Sequence, residues 1–422
     1  MGTSLSAEKK RARMLFILEA AFEYFISLLV SGAYIAKVAV FIGMSDSLAG
    51  VLTSFVSLGC SFQIFAIFLA GRKPVKRWVT FYHTLNQLCF AIVYFVPLFK
   101  GSLIAKSFCF IFFLLAGHIV SNIINSPKIT WFMNSAGQEG IGAFTAKKEI
   151  VSLVGGMIFT FLISLVIDRF EAAGELTTAF VICGCSILVL TILHSLVLLV
   201  SKENAEEKKE QSASSFVSLL RDRQVFKIIG ISVLWYAANY ATTPFYGTYQ
   251  IKELGFSMTF VSILSIAYSI VRAVCSLGFG VYADRKSFTA MLNICYAIAA
   301  AGFFINIFTI PENGKILYTI HYVLYAIAMA GIGNGALNMI FSNVEPSRRM
   351  QAYALQQCIS GAVGFAVTAL VSLLVHSIQN NGNVFLGMNV YAQQVVSAIG
   401  FLITVLLIFY LNIVVKKSHR KE

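Results

Sequence analysis

Twelve runs of mostly apolar residues, each close to 20 residues or longer, divide this 422-residue chain: 14–40, 46–70, 78–98, 103–126, 147–168, 177–200, 224–250, 256–281, 287–309, 315–342, 350–377 and 387–415. About 20 apolar residues is the length at which an α-helix crosses the hydrocarbon core of a bilayer. Inside lipid every backbone polar group must be satisfied within the structure, which a helix does by itself. The runs therefore predict an all-α integral membrane protein of twelve transmembrane helices. Composition agrees: 58% of residues are hydrophobic and only 12% are charged, about half the charged share of an ordinary soluble domain. Disorder, collagen and coiled coil are excluded by the same numbers. Turn and charge signals separate the runs, among them GRKPVKR at 71–77, PENGK at 311–315 and QNNGN at 379–383. Of six Pro residues, Pro244 is the one that falls inside a run, where it predicts a kink.

The net charge of +13 does not point to nucleic acid, because the basic residues form short clusters between the runs rather than one patch. They read as topology signals. With a cytoplasmic N-terminus, 25 Lys and Arg fall on the cytoplasmic side, Lys128 among them, and 5 on the other, while Lys37 and Arg272 lie within runs. That bias puts both termini in the cytoplasm and requires an even number of spans. The first run has no small-residue cleavage site, so a cleavable signal peptide is not expected. All eight Cys lie in apolar runs and read as small buried hydrophobes, with neither a disulfide framework nor a metal site expected. The loops read as external contain no Asn-x-Ser/Thr, which suits a bacterial inner (plasma) membrane.

The longest polar connection, SKENAEEKKEQSASS at 201–215, lies near the midpoint. It suggests a six-helix bundle at 1–200, a cytoplasmic linker at 201–222 and a second six-helix bundle at 223–422. Faint internal repeats support a duplication: AGRK at 70–73 against ADRK at 283–286, and IGAFTAKKEIVSLVG at 141–155 against MQAYALQQCISGAVG at 350–364. Here a resemblance enters. Gly280-Val-Tyr-Ala-Asp284-Arg285-Lys286 is similar to the opening of the loop motif of the major facilitator superfamily. In the first half Ile67 and Gly71 replace the motif's Gly and Asp, but Arg72, Lys73, Lys76 and Arg77 keep its basic remainder. The resemblance covers essentially the whole chain. It implies two parallel six-helix halves working by alternating access, with Arg72, Lys73, Gly280, Asp284 and Arg285 as a cytoplasmic gating motif. It also implies that the first, fourth, seventh and tenth helices line a central cavity.

Ionisable groups inside a span are costly and mark functional sites by default. Glu19 and Glu23 are the two acidic residues well inside a run, and on a helix they share a stripe with Tyr34 and Lys37. Glu23, with Glu19, is the expected proton-coupling site. Lys37, near the outer end, is expected to snorkel. Arg272, deep in the eighth run with Ser265, Tyr268, Ser269 and Ser276 on its face, is expected to pair with Glu23 or to anchor substrate. Among the scattered histidines His118 is the better candidate, since Ser121, Asn122 and Asn125 follow at one-turn spacing. Substrate contacts are also expected from Tyr34, Asn122, Asn239, Tyr240, Tyr246, Tyr325, Asn334, Asn338 and Gln357, although Gly, Ser and amides at such positions equally serve helix packing.

These features suggest a monomeric secondary active transporter for a small polar organic solute, with protons as coupling ion and no cofactor or nucleic-acid partner. A proton-driven multidrug or amphiphile exporter of the same fold is the alternative. A membrane enzyme is less expected, as the chain has no HExxH, GxSxG or Asp-rich metal cluster.

Overall fold

The computed structural model of the protein describes residues 7–65, 75–136, 141–203, 222–344 and 349–415. The described chain is almost wholly helical. Its helices are α1 (Ala7–Leu29), α2 (Gly32–Ile42), α3 (Asp46–Thr53), α4 (Phe55–Ser61), α5 (Val75–Phe95), α6 (Leu103–Ala136), α7 (Ile141–Ala172) and α8 (Leu176–Val200). After residue 222 follow α9 (Arg223–Thr242), α10 (Met258–Arg285), α11 (Phe288–Asn306), α12 (Gly314–Asn343), α13 (Arg349–Asn380) and α14 (Ala392–Tyr410). A two-residue hairpin, Val384–Phe385 against Met388–Asn389, turns the chain between α13 and α14.

Nine helices among the described residues are each long and apolar enough to cross a membrane, and the bent pair α1–α2 brings the number to ten. The two runs outside that number are the second and the seventh. In the second, Ser54 separates α3 from α4 and a 3₁₀ turn follows at Phe62–Ile64. In the seventh, α9 gives way at Pro244 to a 3₁₀ turn, a single α-turn at Tyr246–Thr248 and a π-helical turn at Tyr249–Glu253. Proline removes a donor and clashes with the preceding turn, so the ladder must be rebuilt around it.

The first run does not form one continuous helix. It bends by 41° between α1 and α2, where Ser31 is extended and Gly32 adopts φ +52°, a conformation glycine takes at little cost. Tyr34 and Lys37 therefore leave the stripe of Glu19 and Glu23. Tyr34 bonds to Ser164 Oγ at 2.7 Å and to the Thr160 carbonyl at 3.1 Å, both on α7. Lys37 does not snorkel freely: it is buried and pairs with Glu171 at 2.7 Å.

The fourth run also differs. Pro127 lies within a continuous 34-residue helix, which at about 1.5 Å per residue is roughly 50 Å long and so outruns the bilayer core. Lys128 is thereby carried into the protein interior and is not a free cytoplasmic charge.

The chain forms two compact units, Met1–Met44 with Phe62–Lys209, and Ser45–Ser61 with Glu210–Glu422. In the first, α1 packs on α6, α7 and α8, and α5 packs on α6 and α8. Phe16, Val79, Trp131, Phe132, Phe144 and Leu198 form an apolar cluster between these helices, with Phe16 and Phe132 stacked at 5.0 Å. Glu203 caps α5, its carboxylate accepting from the Val75 and Lys76 amides at 2.8 and 3.0 Å, where the helix dipole favours an anion.

In the second unit, α9 packs on α13 and α14, α10 on α12, and α11 on α12 and α14, around a core that includes Trp235, Tyr296 and Phe303. The segment α3–α4 belongs to this unit. Asp46 pairs with Lys252 at 2.6 Å and accepts from Gln379 Nε2 at 3.0 Å. Thr53 donates to the Pro244 carbonyl at 2.7 Å, and Ser57 to that of Gly361 at 3.0 Å.

Candidate functional site

Four helices of the first unit bring five ionisable side chains together: Glu19 and Glu23 from α1, His83 from α5, Lys128 from α6 and His194 from α8. Lys128 Nζ lies 2.7 Å from Glu19 Oε1, bonds Glu23 Oε2 and lies 3.1 Å from His83 Nε2. The ammonium hydrogen-bonds Glu23 and His83 and forms an ion pair with Glu19. His83 Nε2 is also 3.3 Å from Glu23 Oε1, and His194 Nε2 is 3.5 Å from Glu19 Oε1. Gln87 Nε2 donates to His194 Nδ1 at 2.5 Å, which leaves the imidazole proton on Nε2, facing Glu19. The two imidazole rings meet edge to face at 4.4 Å.

The side chains of Glu19 and Lys128 are each 1% exposed, whereas that of Glu23 is 31% exposed. The site therefore opens to its surroundings through Glu23. Phe16, three residues before Glu19, contributes to an apolar cluster with Val79, Trp131, Phe132, Phe144 and Leu198. Burying an unpaired charge costs several kcal/mol per ion, so each charge in this group has to be balanced locally. Glu19, His83 and His194 each offer one ligand atom, and these lie within 4.8 Å of one another. Lys128 Nζ sits 2.7 Å from Glu19 Oε1 and 3.1 Å from His83 Nε2, so an ammonium lies against two of the three.

Sequence reasoning found the two carboxylates and missed their partners. It offers Arg272 as a partner of Glu23 or as a substrate anchor; of these the structure replaces the pairing, since Glu23 meets Lys128 of its own unit. Lys128 escaped notice because the fourth run ends at residue 126, just before Pro127, normally a helix breaker. A usable signal was the spacing of His83 and Gln87, one turn apart on α5. His118 stands away from the charges. It is buried edge-on against Phe90 at 5.0 Å, and Asn122 donates to its carbonyl at 2.9 Å.

The second unit gathers amides and phenols. Tyr325 donates to Asn239 Oδ1 at 2.5 Å, and Tyr236 to Gln357 at 3.4 Å. Tyr240 stacks on Tyr236 at 5.5 Å. Tyr246 meets Tyr318 and His321 edge-on at 5.9 and 5.2 Å, and Tyr268 lies 5.6 and 6.1 Å from Tyr322 and Tyr325. Gly280, Asp284 and Arg285 fall in the last turns of α10, with open space beside Gly280. Asn334 and Asn338 fall within α12. The side chains of Asp284, Asn334 and Asn338 lie outside the described residues, as do Arg72 and Lys73 altogether.

With nine to ten membrane-length helices among its described residues, the chain has the architecture of a polytopic helical membrane protein. The model of the Major Facilitator Superfamily matches residues 14–369, and the chain belongs to that family. Among solved structures it is similar to the nucleoside transporter NupG (16% identity, 96% of this chain and 98% of that one, TM-score 0.69). It is also similar to a D-xylose–proton symporter (14%, 95% and 97%, 0.74) and a bacterial homologue of the iron transporter ferroportin (12%, 96% and 100%, 0.66). At these identities the likeness is one of fold. No curated protein matches the sequence.

Proposed function

We propose that the protein is a proton-coupled secondary transporter that moves a small polar organic solute by alternating access of two halves, 1–200 and 223–422, with both termini in the cytoplasm. The observation that carries the reading is a charge count. One buried and one partly exposed carboxylate face one ammonium, so the group is one positive charge short. One proton supplies it. His83 Nε2 is placed between Lys128 Nζ and Glu23 Oε1. Unprotonated, it accepts from Lys128. Protonated, it donates to Glu23 and loosens Lys128. A single proton thus selects between two hydrogen-bond arrangements in a group held by four helices, which is what coupling a proton to a helix movement requires. The partial exposure of Glu23 provides the route for that proton. The similarity of fold to a D-xylose–proton symporter is consistent with this reading.

The test is Glu23→Gln in proteoliposomes. Accumulation driven by an inward proton gradient should fall to the equilibrium level. Counterflow, in which labelled and unlabelled solute exchange without net proton movement, should stay within about threefold, under 1 kcal/mol. Undiminished uphill uptake by this variant would remove the proposal.

A further inference from the structure

Arg272 lies in the middle of α10, and no carboxylate pairs with it among the described residues. A guanidinium within a membrane helix is retained only if something balances it. It stands on the side of α10 away from the helix's exposed apolar ridge. Ile263, Ile270, Val274, Leu277 and Val281 form the exposed apolar ridge of α10, and all lie roughly 140–200° around the helix from Arg272, at about 100° per residue. Arg272 is nevertheless exposed. Its own face carries Tyr268, whose phenol is in electrostatic contact with the guanidinium, and Ser265 and Ser269. Across from it Gly333 of α12 makes room: a Cβ there would stand 2.9 Å from Arg272 Nη2. Tyr322 and Tyr325 complete the wall beside Tyr268.

We propose that Arg272 binds the carboxylate of a monoanionic organic acid and that one such anion crosses together with one proton, so that the cycle carries no net charge. The second clause rests on the proton-coupling reading above; the first stands without it. A guanidinium offers paired N–H donors that match a carboxylate. Between Met258 and Ala283 it is the sole basic residue of α10, which suits one negative charge rather than a dianion. The tyrosines offer ring faces for the rest of the molecule. The charge count is reciprocal: Glu19, Glu23, Lys128, His83 and His194 lack one positive charge, and the wall around Arg272 lacks one negative. The proton fills the first and the substrate anion the second. The acid therefore travels as its anion, with the proton held on the protein.

The test compares benzoate, lactate and nicotinate with their neutral amides, using thermal stabilisation of the purified protein and uptake into proteoliposomes. At least one acid should stabilise the protein while its amide does not. Arg272→Gln should weaken binding of that acid about ten- to hundredfold, the usual worth of a charge-assisted contact. Arg272→Lys, which keeps the charge, should weaken it less and reports that the site still folds. Accumulation should rise about tenfold per unit of pH gradient and should not change under a valinomycin-clamped membrane potential. Binding of no acid, equal binding of acid and amide, or unchanged affinity in Arg272→Gln would overturn the assignment of Arg272. Binding that needs Arg272 but uptake indifferent to pH would instead overturn the coupling and leave the anion site standing. Uptake that responds to both pH and potential would overturn the one-to-one stoichiometry.

Discussion

Lys128→Met should lower stability by about 3–5 kcal/mol, the cost of removing one partner from a buried ion pair. The side chain is nearly isosteric, so packing is kept and the charge alone is lost. In the native protein two carboxylates and one ammonium leave a single negative charge. In the variant both carboxylates face each other with no cation between them. The loss should appear as a fall in melting temperature of the detergent-solubilised protein, largest at alkaline pH, where neither carboxylate regains a proton. Glu19→Gln combined with Lys128→Met restores the native charge of minus one and should recover most of the stability. A single variant as stable as the wild type, or a double variant that melts lower still, would show that Lys128 does not hold the group together.

A second large effect is expected at Gly361. Ser57 donates to its carbonyl at 3.0 Å, and α4 approaches α13 so closely that a Cβ at Gly361 would meet the Ser57 carbonyl oxygen at 2.6 Å and Cys60 Cβ at 3.0 Å. A backbone atom cannot rotate away as a side chain would. Gly361→Leu should therefore force α4 off α13 and cost upward of about 1–3 kcal/mol, the usual range for overpacking. It should also free the segment 45–61 to cysteine labelling at Ser57→Cys. Gly278→Ala is the control. Nothing lies within 4 Å of a Cβ there, so this helical glycine should give way to alanine with a gain of about 0.5–1 kcal/mol. Equal melting temperatures for Gly361→Leu and the wild type would mean that the close approach is not needed.

The legible part of the site was the part that broke a local rule. Glu19 and Glu23 stand out because carboxylates inside an apolar run are expensive wherever the run packs. Arg272 stands out for the same reason. Lys128, His83 and His194 break no such rule: each lies near the end of a run, where a basic or aromatic polar residue is ordinary. Their role comes from meeting one another, and Lys128 and Glu23 are 105 positions apart. The kink at Pro244 was legible because proline acts on its own turn. The continuation of the helix through Pro127 to Ala136 was not, because proline by itself favours a break there.

The sequence by itself determined the class of fold: all-α, membrane-spanning, and of the Major Facilitator Superfamily. Partition into a bilayer is settled run by run, from hydrophobicity and length, and a positive-charge bias is additive along the chain. Tertiary structure alone decided which charges meet. It turned Lys128 from a presumed surface charge into the cation of a buried group, moved Tyr34 and Lys37 away from Glu23, and bound α3 and α4 into the second unit. Those outcomes depend on helix length, bends and close packing between segments distant in sequence, quantities that no single run contains.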